Sequence, residues 1–262
     1  IDIVYLSTPI GLHANQGVKV LNAGKHFWCE KPMSSNYLDT KKLINLSRER
    51  NLSIAEGFMY FHHPQFLRLK ELLKMKILGE IMSANIRFGI PFLDKPGFRL
   101  NPELSGGAFW DVGCYPISAA LSLFPNQNYE VISSKIISQK GYQVDTRGGA
   151  KILFNNTTEV NLDWAIGSSY RNEIDIWGEK NSIYTDKIFS KKNDYEPILN
   201  YRDNNGNLTI EKIQSSDHFS LMLEVFIKLL SDKSFQDIER DNILRRAIAA
   251  NTIYNRDKSN IN

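Results

Sequence analysis

The first 79 residues alternate between short β-rich runs and stretches with the apolar spacing of amphipathic helices. The runs 1–6, 26–29 and 53–55 predict strands, and helical spacing follows each of them. Such a repeat of strand and helix is typical of a doubly wound parallel sheet. Ligands bind these sheets at the carboxyl ends of the strands, which is where Glu30, Lys31 and Pro32 lie.

The pattern changes after Gly79. One helix is predicted near 108–124, and Pro116 must either begin its regular part or kink it. Residues 186–214 are polar and predict an irregular segment with a hairpin tip at 204–207, in which the lysine-rich stretch 187–192 is a solvated loop. Apolar spacing predicts helices within 219–230 and 243–248. Alternating side chains predict six strands, at 81–88, 129–138, 146–154, 158–166, 171–177 and 181–185.

These patterns predict an α/β protein of two domains. Residues 1–60 form the parallel α/β domain, and residues 61–262 form an α+β domain on a large mixed, mostly antiparallel open sheet. Helices that cover one face of this sheet leave the other open. We expect that open face to be apolar and to pair with a second copy, giving a homodimer or tetramer.

Composition excludes several classes of protein. A net charge of +3 over 262 residues is too small to indicate nucleic-acid binding. No run of about 18 apolar residues predicts a membrane span, and the first residues do not resemble a signal peptide, so we expect a cytoplasmic protein. Cys29 and Cys114 have neither a disulfide framework nor metal-ligand spacing, so they are interpreted as buried reduced thiols and no metal site is predicted.

Three separated residues carry the chemistry that the sequence suggests. Asp111 and Tyr115 are four residues apart, so in a helix they share one face, and the glycine pair 106–107 lets the backbone approach a neighbour closely. If Lys31 lies near them, its ammonium lowers the tyrosine's pKa toward neutral pH. Such a set suits hydride transfer at a carbinol or carbonyl carbon. Individually, the three could be an exposed turn lysine, a helix cap and a core phenol, but their joint occurrence favours a site.

The chain resembles the Gfo/Idh/MocA oxidoreductases, particularly the branch of dihydrodiol and sugar dehydrogenases. Matching motifs run through essentially the whole sequence in the expected order. They are Thr8-Pro9 with His13, Glu30-Lys31-Pro32-Met33, Gly57-Phe58-Met59-Tyr60, His63-Pro64-Gln65, Phe98 to Leu104, Gly106-Gly107-Ala108, Asp111 to Pro116, Val144 to Arg147 and Trp177-Gly178.

The resemblance implies NAD(P)-dependent oxidation of a sugar, sugar derivative or vicinal diol, or the reverse reduction. Lys31 and Tyr115 would then be catalytic, with Tyr115 as the acid/base, and Asp111 would place the substrate. The resemblance also implies two sets of binding residues. The cofactor, NAD or NADP, would be bound by Ser7, Thr8, Pro9, His13, Glu30, Lys31 and Pro32, and the substrate would be contacted by Tyr60, His63 and Arg99.

Several of these positions have alternative roles. His13 could position a turn, His63 could cap a helix, and Arg99 could pair with Glu103. Where the family often has arginine after the aromatic, this chain has Phe61. No two of its sixteen glycines have the i, i+2 spacing of a G-x-G-x-x-G turn, so the chain is expected to hold only part of a Rossmann-type dinucleotide-binding domain, lacking its amino-terminal portion. The alternative function is a non-catalytic relative that serves as a sugar-binding or oligomerisation module.

Overall fold

A computed structural model describes residues 1–259. Its amino-terminal sheet has three parallel strands in sequential order, as the alternation predicted. Phe27 and Cys29 point from the central strand into a core formed with three helices. The elements are β1 (Ile3–Leu6), α1 (Ile10–Asn22), β2 (His26–Glu30), α2 (Tyr37–Glu49) and β3 (Ile54–Gly57).

The second sheet has eight strands in the order β11-β10-β9-β8-β4-β7-β6-β5. Only β4 and β7 pair in parallel, so the sheet is mixed and mostly antiparallel, as predicted. The strands are β4 (Ile81–Ile90), β5 (Tyr129–Ile137), β6 (Arg147–Phe154), β7 (Thr158–Ile166), β8 (Arg171–Gly178), β9 (Asn181–Asp186), β10 (Ile198–Asp203) and β11 (Leu208–Lys212).

The prediction of an irregular segment at 186–214 is wrong, because β10 and β11 lie within it. Their polar outward side chains, such as Asn200 and Arg202, hide the alternation that Leu199 marks on the buried face. The predicted hairpin tip is confirmed. There the Asp203 carboxylate accepts hydrogen bonds from the backbone N–H groups of Asn205 and Asn207 at 2.9 Å each.

Four longer helices complete the fold: α3 (Pro64–Lys74), α4 (Cys114–Leu123), α5 (His218–Ser231) and α6 (Lys233–Ser259). A π-helical turn at Phe109–Gly113 leads directly into α4. Pro116 therefore lies in the first turn of the regular helix, just after the π-helical turn. No helix of the described residues combines the length and the apolarity that crossing a bilayer requires.

Trp164 fixes the π-helical turn against the large sheet. The indole is 2% exposed and lies against Gly113 and Gly148, where an added Cβ would come within 3.0 Å and 2.6 Å of the ring, respectively. Both positions therefore need glycine because a ring occupies the space of a side chain.

The open face of the large sheet is more polar than expected. Glu173 on β8 is only 4% exposed and lies among cations, with Arg87 at 3.1 Å and Arg171 at 3.1 Å. Arg87 also pairs with Asp163 at 3.2 Å. The expectation of an apolar face is thus wrong, because ion pairs cover its centre. Pairing of two copies through this face stays a prediction.

Helix α6 joins the two sheets. Arg246 pairs with Glu56 on β3 at 2.6 Å and with Glu239 two turns earlier in its own helix at 3.0 Å. Arg245, one residue away, donates to the carbonyls of Leu121 and Phe124 at the end of α4, both at 3.1 Å. One helix is therefore fastened to the small sheet and to the helix that packs on the large one.

Candidate active site

Lys31, Asp111 and Tyr115 meet in the structure. Lys31 follows β2, and its Nζ donates to Asp111 Oδ1 at 3.0 Å and to the Asp111 carbonyl at 2.6 Å. The same ammonium lies 4.8 Å from the centroid of the Tyr115 ring. Lys31, which follows β2, therefore meets Asp111 of the π-helical turn and Tyr115 of α4 at the carboxyl end of the small sheet.

Asp111 is held by two cations. Burial alone would raise the pKa of Asp111, which is 4% exposed, but the charges of Lys31 and Arg99 outweigh burial and keep that pKa below its usual value. Arg99 Nε lies 2.6 Å from Asp111 Oδ2. Arg99 thus pairs with Asp111 and not with Glu103, the alternative considered from the sequence. Asp111 is an anion at neutral pH.

The prediction that Lys31 lowers the pKa of Tyr115 toward neutral pH is wrong. Burial of the phenol raises its pKa well above the usual value, and the opposing effect of Lys31 is smaller. The geometry explains the outcome, because the ammonium lies over the ring face and does not bind the hydroxyl. The hydroxyl instead points to Met59 Sδ at 3.9 Å. Tyr115 is therefore a protonated phenol at neutral pH.

The glycine pair places the segment that carries Asp111 and Tyr115. A Cβ on Gly106 would lie 2.5 Å from the Phe98 carbonyl oxygen, and one on Gly107 would lie 2.2 Å from Asp145 Oδ1. Gly107 also has a φ of +114°, which disfavours any other residue. The close backbone approach expected from the sequence is therefore present.

Asp145 is a site-supporting residue that the sequence analysis did not single out. Its carboxylate accepts from Phe109 N at 2.7 Å and its carbonyl from Ala108 N at 2.9 Å, so it anchors the start of the π-helical turn. Burial raises its pKa to about 6, although these backbone hydrogen bonds oppose the shift. The only sequence signal was its place in the motif 144–147.

The residues predicted to bind cofactor fall into two groups. Ser7, Thr8, Pro9 and Glu30 are at least partly exposed at the ends of β1 and β2. His13, in contrast, is fully buried, and its ring nitrogens lie 2.7 Å from the Thr8 carbonyl and 3.0 Å from the Pro32 carbonyl. His13 therefore fastens the two loops together and offers no surface to a cofactor. Pro32 is buried as well.

Two residues predicted to contact the substrate are also buried. Tyr60 is 0% exposed, and its hydroxyl lies 2.7 Å from Ser118 Oγ. His63 is 0% exposed and caps α3 by accepting from Gln65 N at 3.1 Å. Neither side chain has exposed surface, and contact of either one with a substrate stays a prediction. Arg99 remains partly exposed beside Asp111.

Neither cysteine is poised for reaction or for metal binding. Burial raises the pKa of Cys114 to about 12 and that of Cys29 well above its usual value. Within residues 1–259, no group of three or more His, Cys, Asp or Glu side chains is arranged to hold a metal ion.

Comparisons with known proteins place this geometry among oxidoreductases. A family model described as "Oxidoreductase family, NAD-binding Rossmann fold" matches residues 1–58, and one described as "GFO/IDH/MocA C-terminal domain" matches residues 66–184. Together the two matches cover most of the chain.

Curated relatives have named activities. The chain is 30% identical to dTDP-3,4-didehydro-2,6-dideoxy-alpha-D-glucose 3-reductase of Actinomadura kijaniata over 76% of this chain and 60% of that protein. It is 26% identical to trans-1,2-dihydrobenzene-1,2-diol dehydrogenase of Xenopus tropicalis over 70% of this chain and 55% of that protein. The chain thus spans at most 60% of the length of these two relatives.

The fold is shared with a solved structure. KijD10, a 3-ketoreductase from Actinomadura kijaniata crystallised with NADP and TDP-benzene, superposes with a TM-score of 0.92 at 25% sequence identity. The superposition covers 98% of this chain and 78% of that chain.

Proposed function

Since the chain belongs to the GFO/IDH/MocA oxidoreductase family, we propose that it carries the reaction site of an NAD(P)-dependent enzyme acting on a sugar or related diol. The single observation that supports this proposal is the convergence of Lys31, Asp111 and Tyr115. The reacting group is a CH–OH carbon or the corresponding ketone.

The protonation states favour reduction of a ketone. Tyr115, a buried protonated phenol, is suited to donate its proton to the oxygen that becomes the product hydroxyl. Burial lowers the pKa of Lys31, but the negative charge of Asp111 raises it by more, so Lys31 keeps its proton. The ammonium can stabilise negative charge as it develops on that oxygen. Asp111 holds the ammonium in place through two hydrogen bonds.

The chain fits the nicotinamide half of the cofactor better than the pyrophosphate half. Ser7, Thr8, Pro9 and Glu30 present partly exposed groups beside Lys31 at the carboxyl ends of the strands. No glycine-rich turn is present among the 262 residues to accept a pyrophosphate. When bound, the nicotinamide supplies the hydride that reduces the carbonyl carbon.

The reductases among the relatives favour a keto sugar as substrate. Four matches are named as the same dTDP-linked sugar 3-reductase, and we extend that substrate class to this chain. Arg99 is partly exposed beside Asp111, and under this proposal it would contact a sugar hydroxyl.

Replacing the phenol tests the proposal. In Tyr115→Phe we expect the kcat for NADPH-dependent reduction of keto sugars to fall by about 10²- to 10⁴-fold. The folding of this variant should be intact, because the hydroxyl has only one weak contact, with Met59. Tyr37→Phe, which alters a partly exposed phenol on α2, is the control. An unchanged kcat in Tyr115→Phe would refute the assigned role.

The second candidate is a non-catalytic sugar-binding or oligomerisation module. Titration with NADH and NADPH discriminates between the two functions. Quenching of tryptophan fluorescence at micromolar cofactor supports the enzyme. A folded chain that shows no saturable quenching but binds a sugar supports the module.

A further inference from the structure

A cavity of about 410 Å³ lies between the small sheet and helices α3, α4, α5 and α6. This volume is in the range of small-molecule pockets. Much of the wall is apolar and is formed by Trp28, Phe61, Leu121, Met222, Phe226 and Leu229. Trp28 and Phe226 stack with ring centroids 5.2 Å apart, which gives the wall a flat aromatic surface. None of Lys31, Asp111 and Tyr115 lines this cavity, so it is distinct from the candidate active site.

Five charged side chains line the same cavity, and their charges do not cancel. The two acids, Glu56 and Glu239, both pair with Arg246, at 2.6 Å and 3.0 Å. Arg245 donates to backbone carbonyls, which carry no net charge. Lys70 is the third cation. With both acids ionised, the cavity therefore has one positive charge in excess.

Lys70 is the cation that lacks a partner. Its side chain is partly buried on α3, and no ion pair or hydrogen bond among the described residues includes it. Burial lowers the pKa of Lys70 below its usual value. An ammonium that is partly desolvated without a counter-ion is stabilised when an anion joins it.

His62 adds a hydrogen-bonding group to the cavity without adding charge. Burial, followed by the positive charges of Arg246 and Lys70, lowers its pKa to about 4, so the ring is neutral at neutral pH. The ring lines the cavity, and neither of its nitrogens has a hydrogen-bond partner among the described residues. A neutral imidazole carries one N–H, which is therefore available to a ligand.

We propose that this cavity binds a monocarboxylate with an apolar body, such as a medium-chain fatty acid. The carboxylate pairs with Lys70 and accepts the N–H of His62, and the hydrocarbon chain lies along the apolar wall. A single negative charge balances the one positive charge in excess. A phosphate monoester carries up to about two negative charges and would leave one of them uncompensated. This site does not depend on the proposed dehydrogenase function.

Isothermal titration with octanoate at neutral pH tests the site. We expect one saturable site with a Kd below about 1 mM. Octanamide has the same chain without the charge, and it should bind at least about tenfold more weakly. Acetate has the charge without the chain, and it should bind at least about a hundredfold more weakly. Equal affinities for octanoate and octanamide, or no saturable binding of octanoate, would overturn the proposal, and the cavity would then hold water.

Replacing the lysine tests which group binds the carboxylate. Lys70→Met should weaken octanoate binding by at least about tenfold and leave octanamide binding unchanged, because only the carboxylate uses the ammonium. Lys74→Met is the matched control. It removes the same charge one turn further along α3, from an exposed position that does not line the cavity, and it should leave both affinities unchanged. Unchanged octanoate affinity in Lys70→Met would refute the assignment.

A second variant covers the case in which Lys70→Met does not fold. Val225 on α5 is partly exposed and lines the cavity, so Val225→Trp should fill part of it and weaken octanoate and octanamide alike, by at least about tenfold. Leu223→Trp adds an indole at an exposed position of the same helix outside the cavity and should change neither affinity. Equal effects of the two variants would place the ligand elsewhere and overturn the proposal. These titrations measure no dehydrogenase activity, so their failure leaves the role of Tyr115 untouched.

Discussion

At the scale of single residues, Asp111 connects the two cations of the candidate site. It binds Lys31 through its carboxylate and its carbonyl, and it binds Arg99 through its second carboxylate oxygen. One anion therefore neutralises two cations, of which Lys31 is the more buried. Removing Asp111 and removing Lys31 should consequently change the stability of the protein by different amounts.

We predict that Asp111→Ala destabilises the protein more than Lys31→Met. Losing the aspartate leaves a buried ammonium unpaired, which costs about 3–5 kcal/mol. Losing the lysine costs less, because Arg99 still pairs with Asp111. Urea denaturation measures both free energies of unfolding. Glu159→Ala, which breaks the exposed pair with Lys151, is the control and should cost less than about 1 kcal/mol. Equal losses for the two site variants would contradict this asymmetry.

The raised pKa of Tyr115 is a property of a single residue that the sequence did not predict. Lys31 could be expected near Tyr115, because the end of a strand and the start of a helix are places where such groups meet. How deeply the phenol is buried, and whether an ammonium meets its hydroxyl or its ring face, depends on packing by distant residues such as Phe88 and Phe189. The proximity was therefore predictable and the direction of the pKa shift was not.

At the scale of elements, local periodicity identified the parallel strands and most of the antiparallel ones. It failed for β10 and β11, near and at an edge of the sheet, where both side-chain faces carry polar groups. It also could not show that Asp145, from the loop between β5 and β6, anchors the π-helical turn. Contacts between segments far apart in sequence leave no periodic pattern in either segment.

The contact between β6 and Trp164 gives an element-scale prediction. A Cβ at Gly148 would lie 2.6 Å from both the Lys135 carbonyl oxygen and the Trp164 ring, so Gly148→Ala should cost about 1–3 kcal/mol. At Gly149 the nearest atoms, Asp163 Oδ1 and the Leu162 carbonyl oxygen, are 3.0 Å away. Gly149→Ala is therefore the matched control and should be milder. Thermal unfolding of both variants checks the order, and a reversed order would show that the ring can move aside.

At the scale of the whole molecule, the stability has an acid limit set by neutral histidines. Burial lowers the pKa values of His62, His63 and His218 to about 4, 3 and 4, below the value of about 6.5 expected in the unfolded chain. Between those values the unfolded chain binds more protons, so the free energy of unfolding falls as the pH falls. Asp145 acts in the opposite direction, because its pKa is raised to about 6.

We predict that His218→Phe flattens this dependence. The slope of the free energy of unfolding against pH, between pH 4 and 6, should decrease by up to about 1.4 kcal/mol per pH unit relative to the unchanged protein. Comparing slopes cancels the contribution of Asp145 and of other groups that both proteins share. Urea denaturation at several pH values provides the data. Parallel curves would mean that His218 is already charged in the folded state.

The open face of the large sheet allows a second prediction at this scale. Trp177 is 62% exposed on that face, next to its charged centre. If two copies pair there, Trp177→Asp should shift the sedimentation coefficient toward that of a monomer. Phe92→Asp, at an exposed phenyl ring in the loop after β4, is the control and should change nothing. A chain that is monomeric without any substitution would refute pairing through this face.

The attachment of α6 to both sheets also limits how the cleft can open. Arg246 and Arg245 are neighbours, yet one is bonded to β3 and the other to the end of α4. A rigid-body hinge between the two halves would have to break one of these sets of bonds or bend the helix. Substrate entry and release should therefore depend on rearrangement of surface loops, such as the one after β4, while the aperture set by the two sheets stays fixed.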